Sequence, residues 1–170
     1  GLTHERTADG AAVFVTLTAP SFGAVHTRRA DQAPCAPGSS TPCPHGTLPT
    51  CPVTHEPGDE DLGSPLCPDC YDYDTHVLTT WWFPELWKRY VLALRRLITR
   101  HTPGVKVSFV KVMEMQARLA PHYHAIIRTN QPGINTETLT TLATLAATLT
   151  RLEVPYPDNT RVLRFGAQID

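Results

Sequence analysis

The chain has 170 residues, 41% of them hydrophobic, and a formal net charge of −1. This length suits one domain with a sizeable core, and the lack of any run of about 18 apolar residues argues against a membrane-spanning helix. A net charge this close to zero does not indicate a nucleic-acid-binding protein, so any basic surface must be local. The chain begins at Gly1 without a signal-peptide pattern, and we expect it to be a piece of a longer protein.

The first predicted element is a β-strand over Val13 to Thr18, in which the side chains alternate between two different faces. A long insertion follows it. Residues 33–70 are rich in Pro, Gly and Ser, lack hydrophobic periodicity and contain all five cysteines. A structureless loop of this length is unusual inside a compact domain, so something must hold it in place.

A structural zinc ion is the predicted anchor of this insertion. Cys67-Pro-Asp-Cys70 has the spacing of a zinc knuckle, and four thiolates, or three with one histidine, would complete a tetrahedral Zn²⁺ site. Disulfides are the competing interpretation, which the odd number of cysteines and the absence of a secretory signal disfavour. The first-choice ligands are Cys43, Cys51, Cys67 and Cys70, the alternates are His45 and His55, and the cysteine expected to be left over is Cys35.

The first predicted helix spans Pro84 to Arg100, with Pro84 at its first position and Pro103-Gly104 after its end. Basic residues crowd this helix, which fits a solvated face at least as well as a phosphate-contacting one. Its apolar residues recur at helical spacing and form one stripe: Leu86, Tyr90, Leu94, Leu97 and Ile98.

Two predicted strands, Val105 to Met115 and His122 to Arg128, flank a hairpin loop. His122 and His124 are two residues apart, so both side chains project from the same face of their strand. If Gln116 opposes His122, then Glu114 opposes His124 and becomes a third metal ligand. Two imidazoles and one carboxylate hold a divalent ion with open positions for a substrate oxygen. The simpler alternative is a sheet face with two ordinary histidines.

The last predicted elements are a helix over Thr136 to Leu152, with Asn135 as its N-cap, and a strand over Arg161 to Ile169. The complete order βαββαβ predicts a single α+β domain over residues 1–170 with a ferredoxin-like antiparallel sheet. In that topology the first and third strands lie side by side at the centre, and the second strand flanks the third. The core stripe of the second helix is expected to contain Leu139, Leu142, Leu145, Leu149 and Leu152.

Several segments of the chain, taken in order, resemble blocks of one known family. They are Phe14 to Arg28, Cys43-Pro-His-Gly46, Leu66 to Tyr73, Leu86-Trp-Lys-Arg89, Val107 to Gln116, His122-Tyr-His-Ala125 and Phe165 to Asp170. Together they look like the rolling-circle replication initiators of actinobacterial plasmids and integrative elements, which are HUH-type endonucleases of the Rep class. The first strand resembles the first motif of that class, and His122-Tyr-His124 resembles the metal-binding second motif.

The resemblance implies a cytoplasmic enzyme that nicks single-stranded DNA at a plasmid replication origin. Mn²⁺ or Mg²⁺ on Glu114, His122 and His124 would polarise the scissile phosphate, and a tyrosine would attack it to give a 5′-phosphotyrosyl enzyme and a free 3′-OH. The family carries that tyrosine on a helix after the Gly-Ala-Gln block. The nucleophile is therefore expected beyond residue 170, with Tyr156 as the weak candidate inside the chain. The predicted DNA contacts are Thr16, Thr18, Arg118 and Arg128.

A second class of function competes with nicking. The chain would then be a non-catalytic zinc module that binds DNA or a protein partner, and His122 and His124 would be structural. Metal binding separates the two interpretations, because nicking requires one thiolate-rich site and one exchangeable site, whereas the module requires only the zinc.

Overall fold

The computed structural model describes residues 10–36, 38, 41–157 and 159–167. These residues contain two helices, antiparallel strands and one short 3-10 helix, which is an α+β architecture, and the rest of them lie in loops and turns. Neither helix in these ranges combines the length and the apolar character needed to cross a membrane. In chain order the elements are β1 (Ala12–Thr18), the 3-10 helix (Pro68–Cys70), α1 (Tyr73–His101), β2 (Val107–Met115), β3 (Pro121–Thr129), α2 (Thr136–Leu149), β4 (Arg151–Tyr156) and β5 (Asn159–Arg164).

The main sheet has three antiparallel strands in the order β1-β3-β2. This order confirms that the first and third strands lie side by side and that the second flanks the third, but β1 is at the edge of the sheet and not, as predicted, at its centre. One face of the sheet is buried against the helices, as the stacking of Phe83 from α1 on Tyr123 of β3 shows, with ring centroids 5.0 Å apart. The buried residues of this face alternate along their strands: Val13, Val15 and Leu17 in β1, and Tyr123, Ala125 and Ile127 in β3.

The opposite face of the main sheet is open. Phe14, Ile126 and Val110 form one row across the three strands, and they are 60%, 55% and 71% exposed. The row two residues further along contains Thr16, His124 and Val112. The histidine pair therefore lies on the open face, directly beside an apolar surface.

Helix α1 begins well before Pro84, so the expectation that Pro84 occupies the first helical position is wrong. Asp72 caps the true start, because its side chain accepts a hydrogen bond from the Thr75 N–H at 3.0 Å. Pro84 lies inside the helix, where a proline costs about 3 kcal/mol. Burial of the apolar stripe that begins at the fully buried Phe83 offsets this cost.

Helix α2 confirms its predicted cap, because the Asn135 side chain accepts a hydrogen bond from the Thr138 N–H at 2.8 Å. The leucine stripe is only partly correct. Leu145 and Leu149 are 41% and 57% exposed. The side of the helix that packs inward also uses small residues, which let the backbone approach its neighbours closely: Leu139, Leu142, Ala143, Ala146 and Ala147.

The chain after α2 differs from the prediction. The helix ends at Leu149 instead of Leu152, because Leu152 and Val154 alternate with exposed residues and are buried in a strand, β4. This strand pairs with β5 in a separate two-stranded sheet, so the last strand does not join the main sheet. Residues 168–169 of the predicted strand lie outside the described residues.

The chain nevertheless returns to the main sheet directly after β5. The Gly166 N–H donates a hydrogen bond to the Thr18 carbonyl, with 2.8 Å between nitrogen and oxygen. A Cβ atom at position 166 would lie 2.8 Å from the Ala19 carbonyl oxygen, so the close approach requires glycine. The segment after β5 thus lies against the end of β1, close to the histidine pair.

Candidate metal centre

Glu114, His122 and His124 form a group that we call the histidine clamp. The Oε2 atom of Glu114 lies 3.2 Å from Nε2 of His122 and 3.2 Å from Nε2 of His124. The side chain of His122 is 13% exposed, whereas that of Glu114 is 61% exposed. The clamp therefore has a buried base and an open outer side that a substrate can reach.

The strand register that forms the clamp differs from the prediction by two residues. Glu114 opposes His122, and Val112 opposes His124. The hairpin turn is tight, because the Gln116 N–H donates to the Ala120 carbonyl at 3.0 Å and Pro121 already belongs to β3. A shift of two residues leaves every side chain on the same face, so the predicted set of ligands is still brought together.

Each histidine of the clamp has a partner behind it. The Nδ1 atom of His124 lies 3.1 Å from the Thr16 hydroxyl, and the ring of Phe14 stacks on the His124 ring at 5.6 Å. The Nδ1 atom of His122 lies 3.5 Å from Nε2 of Gln116. Partners of this kind orient metal-binding histidines and fix which nitrogen faces the ion.

The donor set fits a divalent cation. Nε2 of His122 is fully buried, and the one polar atom found beside it is the Glu114 carboxylate oxygen at 3.2 Å, which does not make a well-formed hydrogen bond to it. A buried nitrogen without a partner is costly, and a cation between the three side chains would satisfy it. His122 first, and then His124, also lower the pKa of the Glu114 carboxyl, which keeps the carboxylate charged.

The cysteines and histidines of the insertion form two clusters instead of one. The first-choice set is divided, because Cys51 lies apart from Cys43, Cys67 and Cys70. In both clusters the potential ligand atoms lie within 4.8 Å of one another. The knuckle cluster consists of Cys43, His45, Cys67 and Cys70, and the buried cluster consists of His26, Cys35, Cys51 and His55.

The buried cluster contains two residues that were not among the first-choice ligands or their histidine alternates. Cys35, the cysteine expected to be left over, lies outside the knuckle cluster but is 7% exposed among the residues of the buried cluster. His26 was not predicted as a ligand, since it precedes the cysteine-rich segment. Backbone pairing brings His26 to the buried cluster. The His26 N–H donates a hydrogen bond to the Ser64 carbonyl at 2.9 Å, so the segment before the insertion lies beside the end of the insertion.

The knuckle cluster has the dimensions of a tetrahedral site. Sγ of Cys43 lies 3.6 Å from Sγ of Cys67, and Nδ1 of His45 lies 3.2 Å from Sγ of Cys70. A disulfide would require about 2.05 Å between the sulfurs, and all five cysteines are free thiols. Ligands placed tetrahedrally at zinc distances lie about 3.3–3.8 Å apart, close to the observed separations.

The thiols of the knuckle cluster cannot ionise independently. Burial, the largest influence, raises the pKa of Cys43, but hydrogen bonds from the His45 backbone and from Cys67 and Cys70 outweigh it and bring that pKa to about 7. Cys43 first, followed by burial and Cys67, raises the pKa of Cys70 to about 12. Several thiolates can share this space only if a cation is bound between them.

The insertion also touches the hairpin that carries the clamp. Gly63 has φ +88°, and a Cβ atom there would lie 2.5 Å from the carbonyl carbon of Ala117 and 2.5 Å from the amide nitrogen of Arg118. Only glycine permits both this conformation and this approach. The contact borders a cleft of about 370 Å³ between the insertion and the hairpin, with Arg28 and Arg118 in its lining.

The sequence model of the RepSA family, described as the replication initiator protein of pSAM2, matches residues 2–170. The chain belongs to this family. A replication initiator protein from Streptomyces ambofaciens is 35% identical over 179 aligned residues, which cover 93% of this chain and 36% of the relative. The chain thus spans about a third of that replication initiator. No solved structure matches the chain.

The four predicted DNA contacts of this family member lie in different surroundings. Thr16 bonds to His124, and Thr18 is buried directly opposite His122. The Arg118 guanidinium donates from Nε to Gln116 and lies 5.7 Å from the centre of the Phe22 ring. Arg128 is exposed at the other end of β3. Three of the four are therefore near the clamp, and their role in DNA binding remains a prediction.

None of the five tyrosine hydroxyls, all of which belong to described residues, contacts the clamp. Tyr90 and Tyr123 are buried in the core, and the Tyr71 hydroxyl lies 3.1 Å from Nδ1 of His76. The Tyr156 hydroxyl donates to the Asp74 carboxylate, which raises the pKa of Tyr156 and makes it a poorer nucleophile. Tyr73 is half exposed beside Tyr71.

Thr16→Val is expected to weaken Mn²⁺ binding at the clamp by roughly 10–100-fold, the usual cost of losing a partner behind a metal-binding histidine. Valine keeps the shape of threonine but cannot bond to Nδ1 of His124. Isothermal titration calorimetry with Mn²⁺ measures the change. Thr99→Val, at an exposed position of α1, is the matched control. Equal affinities for the two variants would contradict the orienting role of Thr16.

Proposed function

We propose that this chain is the metal-binding part of a replication initiator that nicks single-stranded DNA at a plasmid origin. The observation that carries the proposal is the convergence of Glu114, His122 and His124 on one exposed face, with a buried histidine nitrogen that a bound cation would satisfy. Family membership supports the biological setting.

The clamp suits a divalent cation such as Mn²⁺ or Mg²⁺, and its imidazole ligands favour Mn²⁺ in a test tube. When bound, the cation supplies positive charge to the non-bridging oxygens of the scissile phosphate. Glu114, His122 and His124 hold it, while Thr16 and Gln116 orient the two rings from behind. The exposed side of Glu114 leaves room for the phosphate.

The covalent step requires a tyrosine oxygen in line with the leaving oxygen. The new bond joins this oxygen to phosphorus while the bond to the 3′ oxygen breaks, and the leaving oxygen takes up a proton to become the 3′-OH. The tyrosine hydroxyl loses its proton in the same reaction. Because no tyrosine hydroxyl of the chain contacts the clamp, the nucleophile is proposed to lie beyond residue 170.

The DNA strand is proposed to cross the open face of the main sheet. Phe14 is exposed beside His124 and offers a flat surface on which a base can stack. Arg28 and Arg118 line the cleft that leads from this side of the hairpin toward the insertion, and they are suited to phosphate contacts. Thr18, on β1 opposite His122, and Arg128, near the other end of β3, complete the proposed contacts.

The knuckle cluster is proposed to bind a structural Zn²⁺. Its ligands are Cys43, His45, Cys67 and Cys70, so one histidine replaces the fourth thiolate of the first-choice set. A site of three thiolates and one imidazole is closed to substrate and typical of structural zinc. Its role would be to order the insertion, not to take part in nicking.

A denaturing gel tests the proposed chemistry. The 170-residue chain, incubated with a single-stranded origin oligonucleotide and Mn²⁺, is expected to form no covalent adduct, because it lacks a tyrosine at the clamp. A longer chain that includes the next tyrosine-bearing helix is expected to form one. The Tyr156→Phe variant is the control: an adduct of the short chain that disappears in this variant would place the whole active site within these residues.

A further inference from the structure

The buried cluster brings together four potential zinc ligands, three from the insertion and His26 from the segment before it. Nε2 of His55 lies 3.1 Å from Nδ1 of His26 and 3.4 Å from Sγ of Cys51. Cys35 lies in the same group, and all four ligand atoms are within 4.8 Å of one another. Two nitrogen and two sulfur ligands at zinc distances would lie about 3.3–3.8 Å apart at the corners of a tetrahedron, so the cluster has nearly the right size.

The surroundings of the buried cluster are those of a metal site. Nδ1 of His55 lies 2.7 Å from the Asp59 carboxylate, which leaves Nε2 free to face the other ligands. The Thr27 N–H donates to Sγ of Cys35 at 3.1 Å, as backbone amides do to thiolates. These contacts fix the two ligands in orientations that point into the cluster.

Apolar burial contributes little to the folding of the insertion. Within the described part of residues 26–70, the buried side chains are Cys35, Cys51, His55 and Cys67, and every one is a potential ligand. The main hydrophobic core contains none of these residues. Burial of the polar His55 ring outside that core is costly unless both of its nitrogens have partners: Asp59 serves Nδ1, and an ion shared with His26 and Cys51 would serve Nε2.

We propose that His26, Cys35, Cys51 and His55 bind a second Zn²⁺, distinct from the ion of the knuckle cluster. The ligands of the two sites alternate in pairs along the chain. The first and third pairs, His26 with Cys35 and Cys51 with His55, form the buried site. The second and fourth pairs, Cys43 with His45 and Cys67 with Cys70, form the knuckle site. The two ions thus cross-brace the insertion.

The cross-brace makes each site depend on the other. The loop between Cys35 and Cys51 contains Cys43 and His45 of the knuckle site, and the loop between His45 and Cys67 contains Cys51 and His55 of the buried site. Loss of one ion frees the loop that positions two ligands of the other ion. Each zinc is therefore expected to leave faster once its neighbour has left.

The first test is the zinc content of the purified chain, measured by elemental analysis under reducing conditions. The expected result is two Zn²⁺ per chain. Replacement of both ions by Co²⁺ is expected to give the summed absorption spectra of a site with two thiolates and a site with three. One zinc per chain, or a disulfide that occupies Cys35 and Cys51 in thiol titration, would overturn the proposal.

Matched variants assign the second ion. Cys35→Ser is expected to reduce the zinc content to one per chain or less, whereas His101→Ala, at an exposed position of α1, is expected to leave it at two. Asp59→Asn keeps all eight ligands and is expected to weaken one zinc by roughly 10–100-fold. A zinc content of two in Cys35→Ser, or unchanged affinity in Asp59→Asn, would contradict the assignment.

The coupling is measured by the rate at which a chelator removes zinc from the knuckle site. In Cys35→Ser this rate is expected to be at least about tenfold higher than for the same site in the unsubstituted chain. Equal rates would show that the two sites are independent and would overturn the cross-brace. Neither measurement involves DNA, so its failure leaves the proposed nicking function unaffected.

Discussion

His122→Ala and His124→Ala are each expected to abolish measurable Mn²⁺ binding at the histidine clamp. Each substitution removes one of three ligands, so the loss should exceed the roughly 10–100-fold cost of losing a partner behind a ligand. Glu114→Ala should weaken binding less, because the Glu114 side chain is 61% exposed and water can replace its oxygen. Titration calorimetry with Mn²⁺ on the zinc-loaded chain measures all three variants.

His101→Ala provides the control for these variants, since His101 is an exposed histidine on α1. The zinc content of the insertion should be the same in all four proteins. Unchanged Mn²⁺ affinity in Glu114→Ala would indicate another third ligand, with Gln116 as the next choice because it lies 3.5 Å from His122. Unchanged affinity in both histidine variants would leave only the non-catalytic zinc module.

Cys67→Ser is expected to unfold the insertion while the main sheet stays folded. Cys67 is 4% exposed, and a structural zinc contributes on the order of 10 kcal/mol to the folding of the segment that binds it. The hydrophobic core lies between the sheet and the helices and does not include the insertion. Residues 33–69 should therefore become sensitive to protease, whereas the circular dichroism of the strands and helices should change little.

Limited proteolysis with mass spectrometry locates the cuts. Cys70→Ser should give the same fragments, since Cys70 belongs to the same cluster. Ser108→Ala, at an exposed position of β2, should resist the protease like the unsubstituted chain. Elemental analysis that finds no zinc in the unsubstituted chain would remove the basis of this prediction, as would the detection of disulfides in place of free thiols.

The three strands of the main sheet could be predicted because alternation and topology agree. The buried residues Val13, Val15 and Leu17 alternate with exposed ones, and the His-x-His spacing places both imidazoles on one face whatever the register. The pairing register of β2 with β3 could not be predicted from the sequence. It depends on a tight turn in which Leu119 has φ +59°, and nothing in a leucine indicates a left-handed conformation.

Other elements were missed where tertiary packing outweighs local preference. Pro84 indicates a helix start, but the capped segment that begins after Asp72 continues through it. Strand β4 follows α2 so closely that Leu152 falls on the helical spacing of the leucines before it. Pairing with β5, which lies further along the chain, makes this segment a strand instead of a continuation of the helix.

The division of the insertion into two clusters could not be predicted from spacing. Ligand spacing identifies a knuckle such as Cys67 to Cys70, but it does not say which distant residues close the site. His26 carries no local signal, since a lone histidine beside a strand is usually an ordinary surface residue. A hint lay in the total number of cysteines and histidines between residues 26 and 70, which is larger than one tetrahedral ion requires.

The contact at Gly63 limits how segments can be exchanged between this chain and its relatives. The insertion fits against the backbone of Ala117 and Arg118 so closely that no side chain is tolerated at position 63. The insertion and the hairpin tip, residues 116–120, therefore form one transplantable unit. A chimera whose foreign insertion places a side chain at this position is expected to push the hairpin aside and to displace Gln116 from His122. One that receives both parts together would keep the histidine rings aligned.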